Sequence, residues 1–398
     1  MTELSGNVPS LPMSANGRTW RLPRSAYIHV PFCRHRCGYC NFTLVAGRDD
    51  LFSGYLKALS CELAKLERPH EVDTLFFGGG TPTQLPPAEL AELLKLSREW
   101  FSPTNGAEIS AEANPLDLTP ERCKVLEDFG VNRISLGVQS FSNRKLKILE
   151  RDHTAAEIAS AVEAAKQVVG EAGSVSLDLI FGVPGEAKSE WQSDLAQALA
   201  ISPTHVSTYG LTFEKGTQFW NRQSKGELHS IPEEHERTHY EIAIDQLTAA
   251  GFEHYEVSNF ARPGFRCRHN EAYWAAEPYF AAGPGAARYI NGRREINHKS
   301  TTTWMRRVLA GQSPVAEFEE LHAEDRAREQ LVIGLRRMRG VVTEEFVQST
   351  GMSIDSLVGK VLDSLIEQGL LEWSGPSLRL TRKGLFVSDS IWPRFLQR

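Results

Sequence analysis

Three cysteines crowd the run Cys33-Arg34-His35-Arg36-Cys37-Gly38-Tyr39-Cys40. The spacing C-x-x-x-C-x-x-C lets three thiolates take three irons of a [4Fe–4S] cube, since cysteine sulfur is the usual ligand of such clusters, and leaves the fourth iron open. A structural zinc ion is the competing occupant, with His29 or His35 completing a tetrahedron. Zinc ribbons present paired C-x-x-C knuckles, however, and no second pair exists in the chain. A disulfide framework fits less well, because the other three of the six cysteines, Cys61, Cys123 and Cys267, are scattered. Cys61 and Cys123 fall in helix-like segments and are expected to pack as small apolar residues.

The segment Phe77-Gly78-Gly79-Gly80-Thr81-Pro82-Thr83 removes three side chains, so the backbone can approach a ligand closely. No Gly-Lys-Ser/Thr follows, which excludes a P-loop, and a dinucleotide fingerprint would need G-x-G-x-x-G opening a helix. Glu112, Gln139 and Asp178 fall at or near strand ends, where they can accept hydrogen bonds from hydroxyl or ammonium groups, and Arg151 can pair with a carboxylate. For each, a strand-end cap or a surface ion pair is the alternative. Further on, Arg268-His269-Asn270-Glu271-Ala272-Tyr273-Trp274 sets an imidazole beside two aromatic faces, which suits heme iron and a porphyrin ring. His269 and Asn270 fixing a loop, with Tyr273 and Trp274 filling a core, would account for the same residues. Cys267 is a rival axial ligand. Gly283-Pro284-Gly285-Ala286-Ala287 reads as a close-packed turn near a barrel mouth and is assigned no ligand.

The elements that position these residues alternate short β-rich runs with longer helical stretches from residue 27 to about 213. Strands are predicted at Tyr27 to Val30, Val72 to Phe77, Glu108 to Ala113, Arg133 to Val138, Val175 to Ile180 and His205 to Phe213. Apolar residues recur at helical spacing between them, as in Leu51, Tyr55, Leu59, Leu63 and Leu66, in Leu90, Leu93 and Leu94, and in Ile158, Val162 and Ala165. Thr119 before Pro120 reads as a helix start, and Gly130 and Gly251 as helix stops. The fold class is therefore α/β, a partial (β/α)6 barrel, whose functional residues should gather at the C-terminal ends of the strands. The expected domains are a loose segment 1–25, the barrel 26–250, an irregular extension 251–316 carrying the His269 motif, and an α+β winged-helix-like domain 317–398. After Glu214 the repeat fades into mixed signals, with a helix expected from Glu233 to Ala250 at the end of the barrel domain and the run His254 to Phe260 at the start of the extension.

Composition, with 41% hydrophobic and 24% charged residues and no apolar run long enough to span a bilayer, suggests a cytoplasmic protein without a transmembrane segment. The N-terminal residues lack the apolar stretch of a secretory signal. A net charge of −6 gives no footprint for nucleic acid, and the winged-helix-like region, with 13 acidic and 11 basic residues, does not supply one. A docking or lid domain is its expected role.

The segments YIHVPFC, CGYCNF, FFGGGTPT, EISAEANP, RISLGVQSF and DLIFGVPGE together resemble the oxygen-independent coproporphyrinogen III oxidase-like family of the radical S-adenosylmethionine (SAM) superfamily, over roughly residues 20 to 398. The resemblance implies a [4Fe–4S] cluster on Cys33, Cys37 and Cys40, whose open iron chelates SAM, and reductive cleavage of SAM to a 5′-deoxyadenosyl radical. By matching positions it implies SAM contacts from Tyr27, Gly79, Gly80, Thr81, Glu112, Gln139, Arg151 and Asp178. Phe42 stands where the oxidases carry a further cysteine, and only 26 residues precede Tyr27, where the oxidases carry a longer extension. Both departures are shared with the HemW-type heme chaperones, as is the HNxxYW signature at His269 to Trp274, whose histidine is implicated there as a heme ligand. The subgroup implies heme as cargo and a heme-acceptor protein of unidentified kind. It also implies an electron donor such as a flavodoxin or ferredoxin, and peripheral membrane association only through the acceptor. The alternative function is oxidative decarboxylation of coproporphyrinogen III to protoporphyrinogen IX.

Overall fold

The computed structural model describes residues 20–396. Six adjacent parallel strands follow one another in chain order: β1 (Ser25–Val30), β2 (His70–Gly79), β3 (Phe101–Ala113), β4 (Arg133–Gln139), β5 (Ser174–Phe181) and β6 (His205–Gly210). Their side chains alternate with period two. On β4, Ile134, Leu136 and Val138 are fully buried against the helices, while Ser135, Gly137 and Gln139 turn to the other face. The helices return the matching stripes: Tyr55, Leu59 and Leu63 from Phe52–Leu63, Leu90, Leu93 and Leu94 from Pro87–Trp100, and Ile158, Val162 and Ala165 from Ala155–Val169.

Local signals fall where the sequence puts them. Thr119 Oγ1 accepts from Arg122 N at 3.5 Å to cap Pro120–Asp128, and Gly130 and Gly251 stop helices at φ of 67° and 85°. The sixth strand ends at Gly210 rather than Phe213, because Thr212 and Glu214 turn aside to line the barrel mouth. Cys61 is exposed and does not pack as expected. On its helix the inward position is taken by Glu62, which binds Gly283 N, Asn297 Nδ2 and Trp304 Nε1 at 3.1, 2.7 and 2.9 Å. Cys123 does pack against the core.

The region after residue 250 is regular where irregularity was expected. It extends the sheet at both edges, giving twelve strands in the order β12-β11-β10-β9-β1-β2-β3-β4-β5-β6-β8-β7. Here β7 is Glu253–Glu256, β8 Asn259–Ala261, β9 Tyr279–Ala282, β10 Ala287–Ile290, β11 Arg293–Asn297 and β12 Val315–Glu320. β9 lies parallel to β1, and the other additions are antiparallel. Because Val315–Glu320 belongs to this sheet, the C-terminal unit begins after it. That unit packs Ala323–Gly334, Thr343–Thr350 and Ile354–Glu367 with a three-stranded antiparallel sheet of Val341–Val342, Leu371–Ser374 and Ser377–Leu380. Of the N-terminal segment, residues 1–19 lie outside the described part. Trp20 onward is tethered, with Arg24 bound to Asp73 through two nitrogens at 3.0 Å. Among the described residues no helix is long and apolar enough to cross a membrane.

Candidate functional site

The cysteine loop leaves the C-terminal end of β1 and is held at both ends. Val45 N donates to Pro31 O at 2.7 Å and Gly47 N to Cys33 O at 3.2 Å, so Phe32–Cys33 and Val45–Ala46 pair as a short parallel ladder. Phe219 closes the loop from outside: its backbone N–H donates to Gly38 O at 2.9 Å, and its ring lies where a Cβ on Gly38 would be only 2.4 Å away. Cys33, Cys37 and Cys40 are half-buried on the wall of a cavity of about 430 Å³ at the barrel mouth.

The adjoining wall is built by strand ends. Gly80 N donates to Val30 O at 2.8 Å and Thr81 N to Phe32 O at 2.7 Å, fastening the end of β2 to the start of the cysteine loop. A Cβ on Gly80 would meet those same carbonyl oxygens at 2.8 and 2.6 Å, and Gly79 holds φ at 106° with the His29 ring in its Cβ position. Glycine is therefore required here for the approach of one chain segment to another. Thr81 Oγ1 reaches Cys33 Sγ at 3.4 Å, and Arg151 Nη1 reaches Cys37 Sγ at 3.6 Å while Nη2 donates to Gly137 O at 2.9 Å. Gln139 ends β4 at φ 64°, a left-handed conformation that costs a non-glycine residue energy and recurs at ligand sites.

Two carboxylates, Glu112 and Asp178, line the cavity and feel each other's charge. Burial pushes Glu112 up to about 7, offset by the hydrogen bond from Gly79 N at 2.9 Å and reinforced by Asp178. Burial likewise raises Asp178, which accepts from Ser135 Oγ at 3.0 and 3.1 Å.

The donor set fits an iron–sulfur cluster. Burial pushes the Cys33 thiol up to about 12, and the neighbouring Cys40 and Cys37 raise it further. Burial raises the Cys40 thiol as well, so these two sulfurs need a strongly positive partner to ionise. Arg151 Nε is buried there without a hydrogen-bond partner, as expected of a group waiting for a ligand. Zinc with His29 finds the imidazole already engaged, with Nδ1 at 3.1 Å from Tyr27 Oη and Nε2 at 2.7 Å from Thr43 O. Among the described residues no group of three His, Cys, Asp or Glu side chains is disposed to hold a single metal ion.

The cavity thus brings together Cys33, Cys37, Cys40, Gly79, Gly80, Thr81, Glu112, Gln139, Arg151 and Asp178. Tyr27 and His269 do not line it. Tyr27 supports His29 from below, and its ring lies 6.3 Å from that of His269. His269 sits on Arg268–Trp274, a short helix that enters the barrel beside the N-terminal part of β2. Glu108 receives the helix start, accepting from Arg268 N and His269 N at 3.1 Å each. His269 is 1% exposed, stacks on Phe76 at 5.0 Å, and has Nδ1 at 2.8 Å from Thr74 Oγ1 and Nε2 at 2.8 Å from Tyr273 Oη. Burial lowers it to about 3. Cys267 is buried beside it, 3.6 Å from Glu108, and burial pushes its thiol up to about 12. Sequence reasoning missed Ser135 and Tyr209 in the cavity wall, although each follows from the two-residue alternation that puts Gly137 and Ser207 on the same faces. It also missed Arg34, which bridges to the buried Asp117 at 3.0 Å.

Residues 27–198 match the radical SAM superfamily, and residues 321–387 match the HemN C-terminal domain. The chain is 36% identical to the heme chaperone HemW of Bacillus subtilis, over 94% of this chain and 99% of that one. It is 37% identical to the HemW of Mycobacterium tuberculosis strain H37Rv, over 93% and 94% of the two chains. It is 33% identical to the mitochondrial radical S-adenosyl methionine domain-containing protein 1 of Danio rerio, over 94% and 86%. Among solved structures, coproporphyrinogen III oxidase (HemN) from Escherichia coli shares the fold at a TM-score of 0.82 and 23% identity, covering 94% of this chain and 90% of that one.

Proposed function

The chain belongs to the HemW family of the radical SAM superfamily, and we propose that it binds heme and transfers it to an acceptor protein. The observation that carries this reading is identity above one third, over nearly the whole chain, to proteins named heme chaperones. Cys33, Cys37 and Cys40 would hold the [4Fe–4S] cluster, which supplies an open iron site and one-electron chemistry when bound. SAM would lie along Gly79, Gly80 and Thr81, with Glu112, Asp178 and Gln139 accepting from its hydroxyl and ammonium groups and Arg151 pairing with its carboxylate. Tyr27 would act through His29, whose ring abuts Gly79. A flavodoxin- or ferredoxin-like carrier would supply electrons.

For heme, His269 is the proposed iron ligand. Cys267 is less suited, because its thiol faces the Glu108 carboxylate. Phe42, 62% exposed at the cavity mouth, replaces the further cysteine of the oxidases and disfavours porphyrinogen oxidation.

The test is a heme titration followed by the absorption of the bound iron porphyrin, on protein reconstituted anaerobically with iron and sulfide. Wild type is expected to bind heme and His269→Ala to lose binding while keeping about four irons per chain. Unchanged heme affinity in the variant removes His269 from the reading. Formation of protoporphyrinogen from coproporphyrinogen III, SAM and a reductant would replace the chaperone reading with the oxidase one.

A further inference from the structure

Both nitrogens of His269 are closed off, but the two closures differ in kind. Nδ1 meets Thr74 Oγ1 on β2, inside the barrel wall. Nε2 meets the hydroxyl of Tyr273, one helical turn further along the same short helix. Tyr273 is only half-buried. With Trp274, Tyr279 and Tyr289 it walls a crevice of about 140 Å³ between the sheet edge and the helix Ala323–Gly334 of the C-terminal domain.

Two cations border this crevice. Arg294 is committed, its two terminal nitrogens bound to both oxygens of Glu329 at 2.9 and 2.8 Å. Arg326 lies 4.9 Å over the ring of Trp20 and makes no ion pair among the described residues. The crevice is therefore an aromatic slot, lined also by Glu277 and Glu329, in which the Arg326 guanidinium stacks on Trp20, and Tyr273 is the partition between the slot and the imidazole.

Resting on the reading of His269 as the iron ligand, we infer that Tyr273 is a removable cap on His269 Nε2, and that the crevice behind it receives the edge of a flat, dianionic tetrapyrrole, with Arg326 facing a propionate. In the tautomer that ligation requires, with the proton on Nδ1 and donated to Thr74 Oγ1 at 2.8 Å, the imidazole keeps on Nε2 the lone pair that binds iron, and the Tyr273 hydroxyl, also at 2.8 Å, donates into that lone pair. Thr74 and Tyr273 consequently act in opposite senses. Thr74 fixes the tautomer and the ring orientation that ligation needs, whereas Tyr273 competes with iron for the same nitrogen. The crevice as it stands holds only the edge of such a ring, since pockets that enclose a drug-sized ligand begin at about 300 Å³. Displacement of Tyr273 both enlarges the slot and uncovers the ligand.

The test is heme titration of the full chain carrying its reconstituted cluster, in wild type, Tyr273→Phe, Thr74→Val, Arg326→Gln and His269→Ala. Removing the cap should tighten heme binding about two- to tenfold, the range of one net hydrogen bond. Thr74→Val should weaken it, a split in sign that a merely structural pair of hydrogen bonds would not give. Arg326→Gln should weaken it about two- to fivefold, as for a half-exposed ion pair. Tyr273→Phe at or below wild-type affinity, with His269→Ala still abolishing binding, overturns the cap and leaves the ligand assignment standing. Wild-type affinity in Arg326→Gln overturns the crevice as the receiving site, and wild-type affinity in His269→Ala overturns both readings.

Discussion

Lys145 has no exposed side-chain surface, and its ammonium is held by Glu186, by Asp194 at 2.8 Å and by the carbonyl of Ile180 at 3.1 Å. Asp194 also accepts from Ser140 Oγ and Phe141 N at 2.7 and 2.8 Å, and Glu186 from Gly182 N and Val183 N at 2.6 and 3.0 Å. One ion cluster thus ties the loop that follows Gln139 to the loop that follows β5. Lys145→Met strands two buried carboxylates and is expected to cost about 3–5 kcal/mol, measured by urea denaturation, whereas adding Glu186→Gln and Asp194→Asn should recover most of it. A loss within experimental error in the single variant would refute the role. Nothing in the sequence marks this lysine, because a charge buried with its partners looks like any helix-surface charge until distant segments meet. The cavity residues were legible for the opposite reason: strand-end polarity and glycine runs are local signals. Tyr27 lies behind His29 rather than on the cavity wall, and the depth of His269 in the barrel is set by where the Arg268–Trp274 helix enters; no local pattern encodes either.

At the scale of elements, the six parallel strands were readable because their outward faces carry uninterrupted apolar alternation against helices with matching stripes. The six added strands were not. β10 and β11 are short, mostly half-buried and mixed polar and aromatic, so no period dominates, and β9 pairs with β1 across about 250 residues of chain. The junction between β2 and the cysteine loop makes a sharp claim about element geometry. Gly80 allows the Val30 and Phe32 carbonyls to approach, and a methyl group there must push apart two backbone segments rather than a flexible side chain. Gly80→Ala is expected to lose about 1–3 kcal/mol from overpacking and to lower iron incorporation in anaerobic reconstitution. Gly106→Ala serves as the control: its Cβ would meet open space, so iron incorporation should be unaffected although φ is 75°. Equal iron content in Gly80→Ala and wild type would show that the two segments can separate without disturbing the cysteines.

The whole molecule is joined along a seam where β7 meets the C-terminal domain. Val257 N donates to Arg336 O and Met338 N to Tyr255 O, each at 3.1 Å, around an antiparallel bridge between Glu256 and Arg337. Arg336 lies 5.0 Å over the ring of Trp274, so the seam also touches the short helix that carries His269. Glu256 is 1% exposed at this junction, and burial pushes it up to about 7 against the lowering pull of the Ser258 and Asn259 backbone N–H groups, the Asn259 side chain and Arg336. The unfolded chain releases this proton near the ordinary value of 4.5, while the folded chain retains it until about 7. Between those values the unfolded state binds fewer protons, so stability falls as pH rises, by about 1.4 kcal/mol per unit and about 3 kcal/mol in all, and levels off above 7. Buried His254, lowered to about 4 by burial, works in the other sense, withdrawing stability as pH falls from 6.5. Comparing wild type with Glu256→Gln cancels such contributions, because the amide imitates the protonated carboxyl and does not titrate. The variant is expected to gain on wild type from pH 4.5 to 8 by about 3 kcal/mol in urea denaturation, and a difference that does not change with pH would mean that Glu256 enters the seam already ionised, with Arg336 as its partner.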